Sequence, residues 1–81
     1  MNVVYSPEFK RALKRCGKTI KNKFYKQVGY LLNDLRHPSL RAKKYNEGKD
    51  VWQARVDRDY RFYFLIENDT YILLDICAHP K

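Results

Sequence analysis

A chain of 81 residues allows one domain, and at that length only about 60–65% of the unfolded surface is hidden on folding, so the core is thin. With 44% hydrophobic residues, including four Phe, seven Tyr and one Trp, the composition excludes a disordered chain. Seventeen Lys and Arg against nine Asp and Glu leave a charge of +8 and a pI near 9.7, which favours polyanionic partners, nucleic acid first among them, over polycationic ones.

The chain begins with a β-prone run, NVVY (2–5), read as a first strand. Ser6, Pro7 and Glu8 follow as an N-cap, a first-turn proline and a first-turn acid, which start a helix over about Pro7 to Cys16. Phe9, Leu13 and Cys16 share one of its faces, and Gly17 ends it. A second helix begins near Lys18 or Thr19. Its apolar residues Ile20, Phe24, Val28, Leu31 and Leu35 recur at steps of four, four, three and four. Lys18, Lys21 and Lys26 fall on the opposite, basic face, and His37-Pro38 stops the helix. The pair is expected to form a hairpin of helices with its apolar stripe on a sheet.

Residues 38–50 read as a basic loop carrying Arg41, Lys43, Lys44 and Lys49. Three strands follow, at about 50–56, 60–67 and 70–77, with Asn68-Asp69 as a hairpin turn. The order β-α-α-β-β-β segregates helices from strands. It predicts an α+β domain, with the helical hairpin on one face of a small sheet ending in an antiparallel meander. The charge follows this division: residues 1–50 hold thirteen basic and four acidic residues, while residues 51–81 hold four and five.

The stretch VWQARVDRDYRFYF (51–64) sets the register. Trp52, Ala54 and Val56 must share a face with Tyr60, Phe62 and Phe64 to make one core. A three-residue loop, Asp57-Arg58-Asp59, satisfies that parity and sets Arg55 opposite Arg61 on the other face. Like charges directly opposite destabilise a sheet, so something must compensate. Asp57, Asp59 or Asp75 would do so from within the protein. Alternatively, two guanidiniums make a forked clamp for an external phosphate. The final strand, TYILLDIC, runs into AHPK, which puts His79 and Lys81 near one edge of the same sheet. A histidine there is suited to proton transfer near neutral pH.

The longest uninterrupted apolar run, Phe62–Ile66, is too short to span a bilayer. The N-terminal MNVVYSPEF lacks the pattern of a signal peptide. Cys16 and Cys77 form neither a CxxC nor a Cys/His zinc spacing. The expectation is a cytoplasmic protein with free thiols, no membrane partner, no metal and no cofactor.

Taken together, YSPEFKRALKR, LLNDLRHPSLRAKKY, VWQARVDRDYRFYF and DTYILLDICAHPK resemble the RelE/ParE superfamily of type II toxin–antitoxin toxins over nearly the whole chain. The resemblance implies a toxin held by a cognate antitoxin. Many members are ribosome-dependent mRNA endonucleases that need no metal: the ribose 2′-hydroxyl attacks the adjacent phosphate in the ribosomal A site and leaves a 2′,3′-cyclic phosphate. By the same resemblance, Arg61 matches the transition-state-stabilising arginine that follows a tyrosine. Arg55 stands where RelE carries its second active-site lysine, and Gln53 replaces the first. Lys81 falls near a C-terminal catalytic arginine, while His79 resembles the C-terminal histidine that some relatives use as general acid or base. The sequence as given ends at Lys81, so RelE's later catalytic tyrosine has no expected counterpart. Arg41, Lys43, Lys44, Arg58 and Tyr63 are the RNA-binding candidates, with Lys43, Lys44 and the outer face of the second helix gripping ribosomal RNA and Tyr63 stacking on a base. A ParE-like gyrase poison shares the fold but not the chemistry, and a degenerate toxin that only binds its antitoxin is the third alternative.

Overall fold

Ser6 opens the first helix as its sequence demands. Its hydroxyl accepts a hydrogen bond from the Phe9 N–H at 3.0 Å, and Pro7 occupies the first turn. In the computed structural model, which describes residues 1–78 (Glu47 through its backbone only), strand β1 spans Asn2–Tyr5, helix α1 spans Pro7–Arg15 and helix α2 spans Lys18–Asn33. Helix α2 stops one turn earlier than the apolar period suggests. Asp34 leaves helical geometry, and its carboxylate accepts the Arg36 N–H at 2.9 Å, a local turn that competes with another helical turn. Beyond it, His37 stacks on Tyr30 with ring centroids 3.9 Å apart.

The segment expected to be a basic loop contains a further strand, β2 (Lys43–Asn46), and a short 3-10 turn at Glu47–Lys49. All four residues of β2 are exposed, so it carries no inside–outside alternation to reveal it. It is held by the antiparallel ladder it forms with β3 (Val51–Arg55). Strands β4 (Tyr60–Glu67) and β5 (Thr70–Ala78) complete the meander. The sheet order is β1-β5-β4-β3-β2. The helical hairpin carries the chain from one edge of the sheet to the other, and the meander walks back until β5 pairs in parallel with β1. The architecture is therefore α+β as expected, with five strands in place of four.

The β3–β4 register is the one that parity requires. Trp52 opposes Phe64, Ala54 opposes Phe62, and Arg55 opposes Arg61. On β5, an irregularity between the pairs Tyr63–Asp75 and Phe64–Leu73 inserts Leu74 as an extra residue. Unbroken alternation would put Leu73 and Asp75 on one face. The bulge instead lets Tyr71, Leu73 and Ile76 enter the core while Asp75 and Cys77 stay on the side of Arg61. The core joins Phe9, Leu13, Phe24, Val28 and Leu31 from the helices to Ala54, Val56, Phe62, Phe64, Leu73 and Ile76 from the sheet. Leu40, in the segment before β2, is fully buried with them.

Candidate nucleic-acid interface

Two cross-strand rows occupy the side of the sheet opposite the core residues Ala54 and Phe62. Lys43, Gln53, Tyr63 and Asp75 lie side by side across β2 to β5, and Arg55, Arg61 and Cys77 form the next row. A cleft of about 210 Å³ opens here, lined by Arg41, Lys43, Gln53, Arg55 and Arg61. Among the described residues that line it, four of five side chains are cations and none is an acid.

How two facing arginines are tolerated is answered by the loop between their strands. Arg61 Nη1 donates to the carbonyls of Asp57 (2.7 Å), Tyr60 (2.9 Å) and Arg58 (3.3 Å), and Arg55 Nε donates to the Asp57 carbonyl at 3.3 Å. Backbone oxygens, not carboxylates, hold both guanidiniums. Among the described residues the ion pairs are Lys23–Asp57 and Lys44–Asp50, so no carboxylate neutralises Arg55 or Arg61. Asp75 instead turns its carboxylate onto the adjacent Ile76 N–H at the bulge. Among the described residues nothing offsets the positive charge of the cleft.

The Asp57-Arg58-Asp59 loop closes without glycine because Asp57 does the work of a turn. Its carboxylate accepts the N–H groups of Asp59 and Tyr60, both at 2.8 Å. Burial pushes the Asp57 carboxyl up, but those two bonds together with the Lys23 ammonium outweigh burial, and the carboxyl titrates below its ordinary 3.8. A carboxyl with a depressed folded value stabilises the protein above its ordinary range and loses that contribution as pH falls through the folded value. Asp57→Ala is therefore expected to cost about 1–2 kcal/mol at pH 7. Denaturant titrations should show the gap from the wild type narrowing as pH falls from 5 towards 3; an equal gap at both ends would remove the charge from this account.

A second clamp positions Arg55 from the helical side. The buried Gln27 donates from Nε2 to the carbonyls of Arg55 (2.7 Å) and Ser39 (3.0 Å), and its Oε1 accepts the Ser39 hydroxyl at 3.0 Å. Arg55 N–H in turn donates to the Leu40 carbonyl at 2.7 Å. Helix α2, the 39–40 segment and β3 are thereby locked together beside the cleft. Arg41 follows with φ of 46°, a left-handed conformation that costs a non-glycine residue roughly 1–2 kcal/mol.

The candidate residues are not all brought together. Arg41, Lys43, Arg55 and Arg61 meet in the cleft. Lys44, the next residue after Lys43 along β2, pairs with Asp50 at 3.2 Å and is not part of the cleft. Arg58 is exposed at the loop tip and contributes its carbonyl to Arg61. Tyr63 stands beside the cleft, edge-on to Tyr45 with centroids 5.0 Å apart, in a more apolar groove shared with Val51, Leu74 and Cys77. Tyr45 is 61% exposed, and sequence reasoning gave it no role. Burial pushes both the Tyr63 hydroxyl and the Cys77 thiol up, away from neutral pH. His79 and Lys81 lie outside the described residues.

Residues 3–79 match the model of the family described as ParE toxin of type II toxin-antitoxin system, parDE. The chain belongs to this family. A comparison with curated protein sequences finds no match. Among solved structures, the YoeB/ParE toxin from Agrobacterium tumefaciens superposes with a TM-score of 0.79 at 10% identity, covering 99% of this chain and 100% of that one. YafQ from E. coli strain BL21(DE3) gives 0.79 at 18% identity, with 96% and 92% covered. The RelB-RelE antitoxin-toxin complex from Methanococcus jannaschii gives 0.76 at 18%, with 93% and 88% covered. The fold of this ParE-family toxin is thus shared with toxins that carry RelE, YoeB and YafQ names.

Proposed function

We propose that this toxin is a metal-independent endoribonuclease that cuts mRNA in the ribosomal A site. The observation that carries the reading is the cleft itself: Arg41, Lys43, Arg55 and Arg61 converge with no carboxylate among the lining residues. The ribose 2′-oxygen attacks the adjacent phosphorus and the 5′-oxygen departs, which leaves a 2′,3′-cyclic phosphate on one fragment and a 5′-hydroxyl on the other. Negative charge gathers on the phosphate oxygens in the transition state, and fixed guanidiniums stabilise charge that develops at that point. Arg61 and Arg55 take that role, and their orientation is already set by the loop carbonyls. His79 transfers the protons, with Lys81 as an additional cation; both assignments rest on resemblance. The exposed basic residues outside the cleft, Lys44, Arg58 and the outer face of α2, contact ribosomal RNA.

A cognate antitoxin restrains this activity. Solved relatives include a RelB-RelE antitoxin-toxin complex and a YoeB-YefM toxin-antitoxin complex, and a chain of charge +8 suits an acidic partner that folds on binding. The ParE description of the family favours a second reading, a toxin that poisons DNA gyrase without cutting RNA. Inducing the toxin alone in bacteria and mapping new mRNA 5′ ends separates the two. Cuts inside translated codons are expected. Growth arrest with intact transcripts and a DNA-damage response would replace the nuclease reading with the gyrase one.

A further inference from the structure

The described residues contain two buried polar side chains, Gln27 and Gln53, and the protein treats them oppositely. Gln27 makes three hydrogen bonds inside the fold. Gln53, only 8% exposed, has no side-chain hydrogen bond to any described residue. No buried polar side-chain atom among the described residues is sealed off without a partner, and Gln53 is one of the described residues that line the cleft.

The four side chains around it are Lys and Arg, which donate hydrogen bonds and accept none. Phosphate oxygens only accept, and the cations match them. The Gln53 Oε1 is the single side-chain acceptor among the described residues that line the cleft. The side-chain hydrogen bonds of Arg55 and Arg61 go to backbone carbonyls and not to this oxygen, which leaves it open to a donor on the ligand, close to a phosphate. On a nucleic-acid strand the sugar lies between successive phosphates, and the 2′-hydroxyl of ribose is a donor there that deoxyribose lacks. Gln53 and Arg55 share one face of β3, two residues and roughly 7 Å apart, so one holds sugar while the other holds phosphate.

We propose that Gln53 accepts a hydrogen bond from a ribose 2′-hydroxyl of the bound strand and makes the cleft select RNA over DNA. The proposal rests on the nuclease reading and adds to it a specificity-determining residue.

Binding decides it, since cleavage needs the 2′-hydroxyl whatever Gln53 does. Fluorescence anisotropy would compare labelled eight-nucleotide single strands of one sequence, made as ribose, 2′-deoxy and 2′-fluoro forms, against the wild type, Gln53→Met and Gln53→Lys. Phosphate contacts give all three strands a shared electrostatic affinity. The wild type is expected to bind the ribose strand about tenfold more tightly than the other two. Gln53→Met should bind all three with one affinity. Gln53→Lys, a donor without an acceptor, should bind all three more tightly and equally, and it decides the matter if the Met variant does not fold. A ribose preference that survives both substitutions, or no preference in the wild type, overturns the assignment of Gln53 and leaves the nuclease reading standing. No binding of any strand overturns the assignment of Gln53 as well, and the nuclease reading, which places cleavage on the ribosome, then stands or falls with the mapped mRNA 5′ ends.

Discussion

Arg61→Ala is expected to remove growth arrest and to slow mRNA cleavage by about 10²–10³-fold, the loss typical of deleting one preorganised charge-stabilising donor. The fold should survive. The substitution forfeits three hydrogen bonds to the 57–60 carbonyls, but it also removes the like charge directly opposite Arg55. These effects oppose each other, and the Asp57 carboxylate continues to close the loop. A net change near 1 kcal/mol would move Tm by about 4–8 °C in a domain of this size. Thermal unfolding and mapping of mRNA 5′ ends on the same variant check both halves. Cleavage at the wild-type level in a folded Arg61→Ala protein would take Arg61 out of the site. Arg61→Lys should fall between the two, because it keeps the charge and loses the planar fork.

The loop carbonyls explain why the sequence leaves the meaning of the arginine pair open. Charge patterning along the chain shows carboxylates at Asp57, Asp59 and Asp75, any of which is a plausible counter-ion. Each is engaged elsewhere or unpaired: Asp57 with its own loop and Lys23, Asp75 with the Ile76 N–H, and Asp59 in no ion pair among the described residues. Main-chain oxygens carry no letter in a sequence, so compensation by backbone is invisible before the turn is built.

Other parts of the site were legible for physical reasons. One-core parity fixes the β3–β4 register without any structure, because a slip by one residue would put Phe62 and Phe64 in water and Arg61 in the core. The steps from Ile20 to Leu31 fix the buried face of α2 in the same way. Strand β2 offers no such signal: its four residues are all exposed, and it exists because β3 presents an edge that pairs with it. Missing β2 hides the distinction between Lys43 and Lys44. Adjacent strand residues point to opposite faces, and only Lys43 reaches the cleft. It also hides the depth of Gln53, which reads in sequence as a lost cation and stands in the structure as a buried amide. The bulge at Leu74 and the burial of Leu40 depend on tertiary neighbours in the same manner.

The stability of the cleft depends on a residue that lies outside it. Phe24 is fully buried, with ring centroids 5.1 Å from Phe9 and 5.3 Å from Phe62, and further edge contact with Tyr5. It is the point where α1, α2, β1 and β4 meet, and β4 carries Arg61. Phe24→Ala removes an aromatic ring from a thin core and leaves a cavity that rigid neighbours fill poorly, a change that typically costs about 3–5 kcal/mol. A domain of this length holds roughly 4–12 kcal/mol in all. The expected result is a fall in Tm of roughly 15–30 °C, or a chain already partly unfolded at growth temperature. Toxicity should fall with it, through loss of folded protein and not through the chemistry. Far-UV circular dichroism melts separate this case from Arg61→Ala: here toxicity and Tm drop together, there toxicity drops while Tm moves by no more than about 4–8 °C. A Phe24→Ala protein that melts within a few degrees of the wild type would mean that the helical hairpin collapses onto β4 to fill the space, and Phe24→Leu, which keeps most of the apolar volume, should then be indistinguishable from the wild type.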